Sequence, residues 1–243
     1  MESAARPAAP PGTPPAAPPS PPVRTRRRAL AAVGTGLAVL GVLGAGVLTG
    51  FAPQVRIDEV TSRALYAGDD RSVLVGGLLE VLTTPGVTWF RVLVFLPALV
   101  WLARRRVWRT LAWVVVAVLA IGPLTTGLKE LVGRARPAFE NGGLTYESLS
   151  YPSGHSAGIA TLVTVGLVLA WPRLSARGRR VAVVAGVALA VLVGLTRMWL
   201  GVHFLSDVVG GLSLGVAWSL AVALVARGLP GGAGALPPRE AAR

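Results

Sequence analysis

The chain has 243 residues, 53% of them hydrophobic and only 14% charged, which excludes an ordinary soluble domain and describes a membrane protein. Without cysteine there is no disulfide framework, no thiolate nucleophile and no sulfur-ligated zinc site. The net charge of +13 comes from arginines in short runs between apolar stretches, the distribution of orientation signals and not of a nucleic-acid-binding face.

Residues 1–28 predict a cytoplasmic tail: a disordered Pro/Ala-rich stretch over 1–22, then the cluster Arg24, Arg26, Arg27 and Arg28. The apolar run 29–51 exceeds the ~7–15 residues of a signal-peptide core and predicts an uncleaved first span. Residues 52–86 mix charge with apolar patches, which predicts a helix lying at the interface or partly re-entrant. Five further spans are expected at 88–103, 107–126, 156–171, 181–199 and 205–226, near the ~17–25 residues that a hydrocarbon core requires. The first of these five is interrupted by Pro97 and carries Arg91 near its start. Residues 227–243, rich in Gly and Pro, predict a flexible cytoplasmic tail, leaving 29–226 as the six-helix membrane domain.

An even number of spans puts both termini on one side. That side would carry sixteen basic residues against two acidic ones, Glu2 and Glu240, while the other carries eight basic and nine acidic. The positive-inside rule then makes the termini cytoplasmic. Three polar blocks consequently face outward at the ends of the third to sixth spans.

These blocks run from Lys129 to Pro137, from Tyr151 to His155 and from Thr196 to Asp207. They hold the single lysine and both histidines of the chain. Lys129, Arg136 and Arg197 can supply charge to phosphate oxygens, arginine as a bidentate fork and lysine as a point charge. Snorkelling cations at a helix end are the other reading of such residues. If 124–135 stays helical, Lys129 and Arg136 lie seven apart on one face. In the second block Ser153 predicts an N-cap, with the amides of Ser153, Gly154 and His155 at the anion-attracting end of a helix. His155 can protonate a leaving oxygen there, or merely sit in interfacial water. In the third block His203 and Asp207 are four apart, so the carboxylate can accept from one ring nitrogen and leave the other unprotonated. The pair suits a nucleophile and its orienting acid, or a structural closure of the helix end.

Lys129-x6-Arg136-Pro137, Pro152-Ser153-Gly154-His155 and Arg197-x5-His203-x3-Asp207 together resemble the three-part signature of the type 2 phosphatidic-acid phosphatase family. Vanadium-dependent haloperoxidases and bacterial acid phosphatases share that superfamily. The motifs cover 129–207, and the six-helix frame extends the resemblance over roughly 29–226. The resemblance implies His203 as nucleophile through a phosphohistidine, Asp207 as its partner and His155 as general acid. It also implies phosphate binding by Lys129, Arg136, Ser153, Gly154 and Arg197, with no metal and no cofactor. One departure is Thr196, where the family usually has serine before the arginine.

Three rival readings are weaker. Gly154-His155-Ser156-Ala157-Gly158 fits the Gly-x-Ser-x-Gly nucleophile elbow, but no strand precedes it and the order Ser, acid, His is not kept. His155, His203 and Asp207 number enough for a metal, yet Lys129, Arg136 and Arg197 would repel it. A non-catalytic lipid-phosphate carrier would have no need of all three catalytic residues. The sequence therefore predicts an all-α integral membrane protein of the plasma membrane with an outward-facing interfacial site. Its expected activity is metal-independent hydrolysis of a lipid phosphomonoester or pyrophosphate, such as phosphatidic acid, phosphatidylglycerol phosphate or a polyprenyl pyrophosphate. Phosphoryl transfer to another lipid is the alternative. Membrane lipids are the expected partners, and nucleic acid is not.

Overall fold

A computed structural model describes residues 22–68, 71–139 and 148–236. The expected disorder of 1–22 falls almost wholly outside this range. Eight α-helices make up the described residues: α1 (Val23–Leu48), α2 (Ala52–Leu65), α3 (Val73–Thr83), α4 (Thr88–Arg104), α5 (Trp108–Val132), α6 (Gly154–Ala170), α7 (Ala176–Trp199) and α8 (Leu205–Val225). Five of them, α1, α5, α6 with its short extension to Arg173, α7 and α8, are long and apolar enough to cross a membrane. A sixth crossing is available from the pair Val73–Gly86 and Thr88–Arg104, which is bent by 49°. The chain is thus an all-helical, multi-pass membrane protein with five or six spans.

The boundaries differ from the sequence expectation in informative ways. The arginines at 24 to 28 lie within α1, which starts at Val23 and not at 29. Straight-chain Arg is a good helix former, so the helix runs past the edge of its apolar run. Residues 52–86 form two helices, α2 and α3, and not one. Pro97 does not end α4; it sits inside a helix that continues to Arg104.

Helix α8 lies at the centre, packed against both α1 and α6. Close approach to α6 depends on Gly211, where a Cβ would collide with the Ser153 carbonyl oxygen. Small residues of this kind let membrane helices associate by van der Waals contact where no hydrophobic driving force separates them from lipid. Val184, Val187 and Val191 of α7 point outward and are exposed. Such a face suits acyl chains and would be a liability in water.

A large apolar core occupies one end of the bundle, where Trp113 and Val114 of α5 meet Val165 and Leu169 of α6 and Ala223 of α8. Residues 228–236, expected to be mobile, turn back onto this core. Leu229 is buried there, and the Gly234 carbonyl accepts from Thr110 Oγ1 at 2.8 Å and Trp113 Nε1 at 3.2 Å. The opposite end of α5, α6, α7 and α8 carries the three polar blocks.

Candidate active site

The first block is divided by a helix stop. Gly133, with φ of 67°, ends α5 at Val132, and its N–H donates to the Lys129 carbonyl at 2.8 Å. A left-handed residue at that place favours glycine and terminates the helix. Lys129 therefore sits on the last turn, while Arg134 and Arg136 belong to the irregular segment beyond it. The condition of a continuous helix over 124–135 is not met, and no common helix face joins Lys129 to Arg136. The segment before α6 joins them instead. Lys129 Nζ donates to the Leu149 carbonyl, and Arg136 Nε and Nη2 donate to the Ser148 carbonyl and hydroxyl at 2.7 and 2.8 Å. The Ser150 N–H completes the connection by donating to the Arg134 carbonyl at 2.8 Å.

The second block opens α6. Ser153 is the N-cap, its Oγ accepting from the Ser156 N–H at 3.4 Å and the Ser156 hydroxyl at 3.1 Å. Its own N–H donates to the Asp207 carbonyl at 2.9 Å, which ties the start of α6 to the start of α8. Gly154 and His155 are the first residues of the helix and share a cavity of about 310 Å³ with Lys129. Just before the cap, the Tyr151 hydroxyl donates to the Leu40 carbonyl of α1 at 2.5 Å. Burial, followed by the Asp207 charge, raises the Tyr151 phenol well above its usual range, so it stays a donor.

In the third block, His203 precedes α8 and Asp207 lies in its first turn. His203 Nδ1 is 3.4 Å from Asp207 Oδ2, and Arg136 Nη1 is 3.3 Å from the other ring nitrogen, Nε2. Because a guanidinium can only donate, Nε2 accepts and the ring proton belongs on Nδ1. Asp207 is fully buried. It accepts from Arg134 Nη1 at 2.7 Å, from the Phe204 N–H at 2.9 Å, and from the Ser150 hydroxyl. A buried carboxylate needs such donors to remain charged. Burial lowers the His203 pKa from 6.5 to about 3, with Asp207 opposing and the Arg197 and Arg136 charges adding to the fall. The imidazole is neutral at physiological pH as a result.

Arg197, on the last turn of α7, is buried and directs Nη1 to Thr83 Oγ1 at 3.4 Å. The Thr196 hydroxyl donates back to the Val193 carbonyl of its own helix at 2.7 Å. Lys129, Gly154 and His155 line one cavity, Ser153 is bonded to Asp207, and Arg136 approaches His203. All eight predicted residues thus gather at one end of the bundle. Among the described residues, no three His, Cys, Asp or Glu side chains form a group that could hold a metal.

Sequence reasoning missed the support beneath this arrangement. Arg134 spans two buried acids, reaching Asp58 Oδ2 and Asp207 Oδ1 at 2.7 Å each, and its guanidinium covers the Phe204 ring at 4.1 Å. Asp58, on α2, also accepts from the Ser206 N–H at 2.9 Å and the Ser206 hydroxyl at 2.5 Å. Ser150 faces both members of the His203–Asp207 pair. The available signals were Asp58, an acid in a region otherwise read as interfacial, and Arg134, a third cation within the first polar block.

Residues 110–229 match the family model described as the PAP2 superfamily. Phosphatidylglycerophosphatase B of Bacillus subtilis (strain 168) is 48% identical over 93 residues, covering 37% of this chain and 44% of that protein. A lipid A 1-phosphatase of Rhizobium johnstonii is 34% identical over 125 residues, 47% of either chain. The chain therefore spans less than half the length of these curated relatives. A crystal structure of a transmembrane PAP2-type phosphatidylglycerolphosphate phosphatase from Bacillus subtilis superposes with a TM-score of 0.61 at 29% identity, over 78% of this chain and 93% of that one.

Proposed function

We propose that this chain is a member of the PAP2 superfamily, whose model matches residues 110–229, and that it hydrolyses a membrane lipid phosphate by way of a phosphohistidine on His203. The observation that carries this reading is the polarised imidazole, with Nδ1 toward the buried Asp207 and Nε2 toward the Arg136 guanidinium. An anion drawn to Arg136 meets the unprotonated nitrogen in the same place.

In the first step the Nε2 lone pair attacks phosphorus, a P–N bond forms and the P–O bond to the lipid breaks. His155 gives its proton to the departing oxygen. Lys129, Arg136 and Arg197, with the amides of Ser153 and Gly154, hold the three equatorial oxygens as charge spreads over them. In the second step water attacks phosphorus and its proton passes to His155. The P–N bond breaks and the electron pair returns to Nε2, restoring both imidazoles. Asp207 stays ionised throughout and fixes the tautomer, the usual part of an orienting carboxylate.

Relatives named for phosphatidylglycerol phosphate and lipid A support a glycerolipid or saccharolipid phosphate as substrate, with polyprenyl pyrophosphate in the same chemical class. The arginine distribution supports cytoplasmic termini in the plasma membrane and catalysis on its outer side. The membrane domain is taken as 29–226, flanked by cytoplasmic tails over 1–28 and 227–243.

Phosphate release from a panel of lipid phosphates in detergent, with chelator present, tests the activity. The wild type should turn over at least one substrate and form an acid-labile, base-stable phosphoenzyme, while His203→Ala should do neither. An absolute requirement for divalent metal, or an active His203→Ala protein, would send the chemistry elsewhere. Reporter fusions at 105 and 176 should lie in the cytoplasm, and one at 142 outside; the reverse would overturn the assigned side.

A further inference from the structure

Arg91 is a charged residue inside an apolar span, a costly placement that points to function. It is 2% exposed. Its Nη1 donates to the Gly86 carbonyl at 2.6 Å and its Nη2 to Thr88 Oγ1 at 3.1 Å, while the buried Nε has no partner. Among the described residues no carboxylate pairs with it. A buried cation without a counter-ion is strongly unfavourable unless an anion joins it.

The side chain lines the cavity of about 310 Å³ that also exposes Lys129, Gly154 and His155. No acidic residue contributes to the walls, so two cations face the same space. His155 stands where the leaving oxygen receives its proton, which places this cavity on the leaving-group side of the phosphorus. The turn carrying Gly86 is pressed onto the start of α6, since a Cβ at Gly86 would come within 2.7 Å of the His155 carbonyl oxygen. Arg91 therefore sits one backbone contact from the general acid.

We propose that this cavity is a second anion subsite, in which Arg91 is the counter-ion for a phosphate group carried by the leaving portion of the substrate. The inference rests on hydrolysis through His203 and His155. It selects substrates whose departing half is itself anionic: lipid diphosphates, where the leaving group is a lipid monophosphate, and phosphomonoesters with a neighbouring phosphodiester, as in phosphatidylglycerol phosphate. Phosphatidic acid, which releases neutral diacylglycerol, leaves the subsite without its ligand. For a diphosphate, the His155 proton passes to the oxygen bridging the two phosphorus atoms as that P–O bond breaks and the P–Nε2 bond forms.

The test compares kcat/KM of purified wild type, Arg91→Gln and Arg91→Lys on farnesyl diphosphate, phosphatidylglycerol phosphate and phosphatidic acid. Relative to phosphatidic acid, Arg91→Gln should lower the preference for the other two substrates at least tenfold, and Arg91→Lys should recover part of it. A fall confined to farnesyl diphosphate assigns the subsite to diphosphates, and one confined to phosphatidylglycerol phosphate to the phosphodiester. Equal losses on all three reduce Arg91 to a brace for the Gly86 turn and overturn the proposal, as does an unchanged preference. Thermal unfolding with inorganic pyrophosphate gives a reading independent of turnover. Pyrophosphate should stabilise the wild type at a concentration at least tenfold below that of orthophosphate, and Arg91→Gln should abolish the difference. If no lipid is hydrolysed, the hydrolase reading fails while the subsite is still decided, because equal pyrophosphate shifts in wild type and variant overturn it.

Discussion

Arg134 and Asp207 meet at 2.7 Å in the interior, and the same guanidinium reaches Asp58 at 2.7 Å on a helix far away in sequence. Asp207 is thereby anchored to α2 as well as to its own helix. Removing one partner of a buried ion pair typically costs about 3–5 kcal/mol, because the other charge is left without compensation. Asp58→Asn should therefore lower the unfolding temperature in detergent and reduce kcat about tenfold or more. Wild-type stability together with wild-type kcat would show that the α2 anchor is dispensable.

The lowered His203 pKa fixes the direction of the pH response. The folded protein leaves His203 neutral down to about pH 3, whereas an unfolded chain protonates it near 6.5. Between those values the unfolded state binds the extra proton, so this group's contribution to stability is complete above pH 6.5 and is lost as pH falls toward 3. The acid limb of kcat/KM attributable to His203 should likewise lie well below 6.5. Arg136→Gln removes one of the charges that depress the value and should move that limb upward. A limb that stays in place, measured alongside wild type on the same lipid, would contradict the assignment.

Ser150 donates to Asp207 and faces His203 Nδ1 at 3.4 Å. Hydrogen bonds to charged groups are worth about 1.5–3 kcal/mol. If part of that is felt only when the imidazole takes on phosphorus, Ser150→Ala should cut kcat roughly tenfold while changing KM little. Steady-state kinetics decides it, and a loss residing entirely in KM would point to substrate placement instead.

Thr196 offers a prediction of the opposite kind. Its hydroxyl is committed to the Val193 carbonyl and serine keeps that donor, so Thr196→Ser should leave kcat/KM within about twofold of wild type. A larger change on the phosphate-release assay would mean that the hydroxyl turns toward the substrate during reaction.

Much of this arrangement was legible in the sequence because it depends on local spacing. The four-residue step from His203 to Asp207 and the cap at Ser153 are properties of one helix turn, and both appear where expected. The apolar runs announced most of the spans for the same reason. What stayed hidden is non-local. Arg134 was one cation among three neighbours, and nothing in its surroundings in sequence could reveal that it lies against Asp58, 76 residues earlier. The helix stop at Gly133 was also missed, since a lone glycine inside a helical pattern is often tolerated and only its φ of 67° settles the matter. The fold of 228–236 depends on Trp113 and Thr110 reaching across to one carbonyl, a contact that no compositional argument supplies.

The Tyr151 hydroxyl bound to the Leu40 carbonyl, with α1 laid along α8, has a consequence for biogenesis. Helix α1 is synthesised well before α8 and cannot complete its packing until α8 arrives. Only then can the loop bearing Tyr151 and the His203–Asp207 pair take up the arrangement described, so the proposed site is assembled only after α8 has been made.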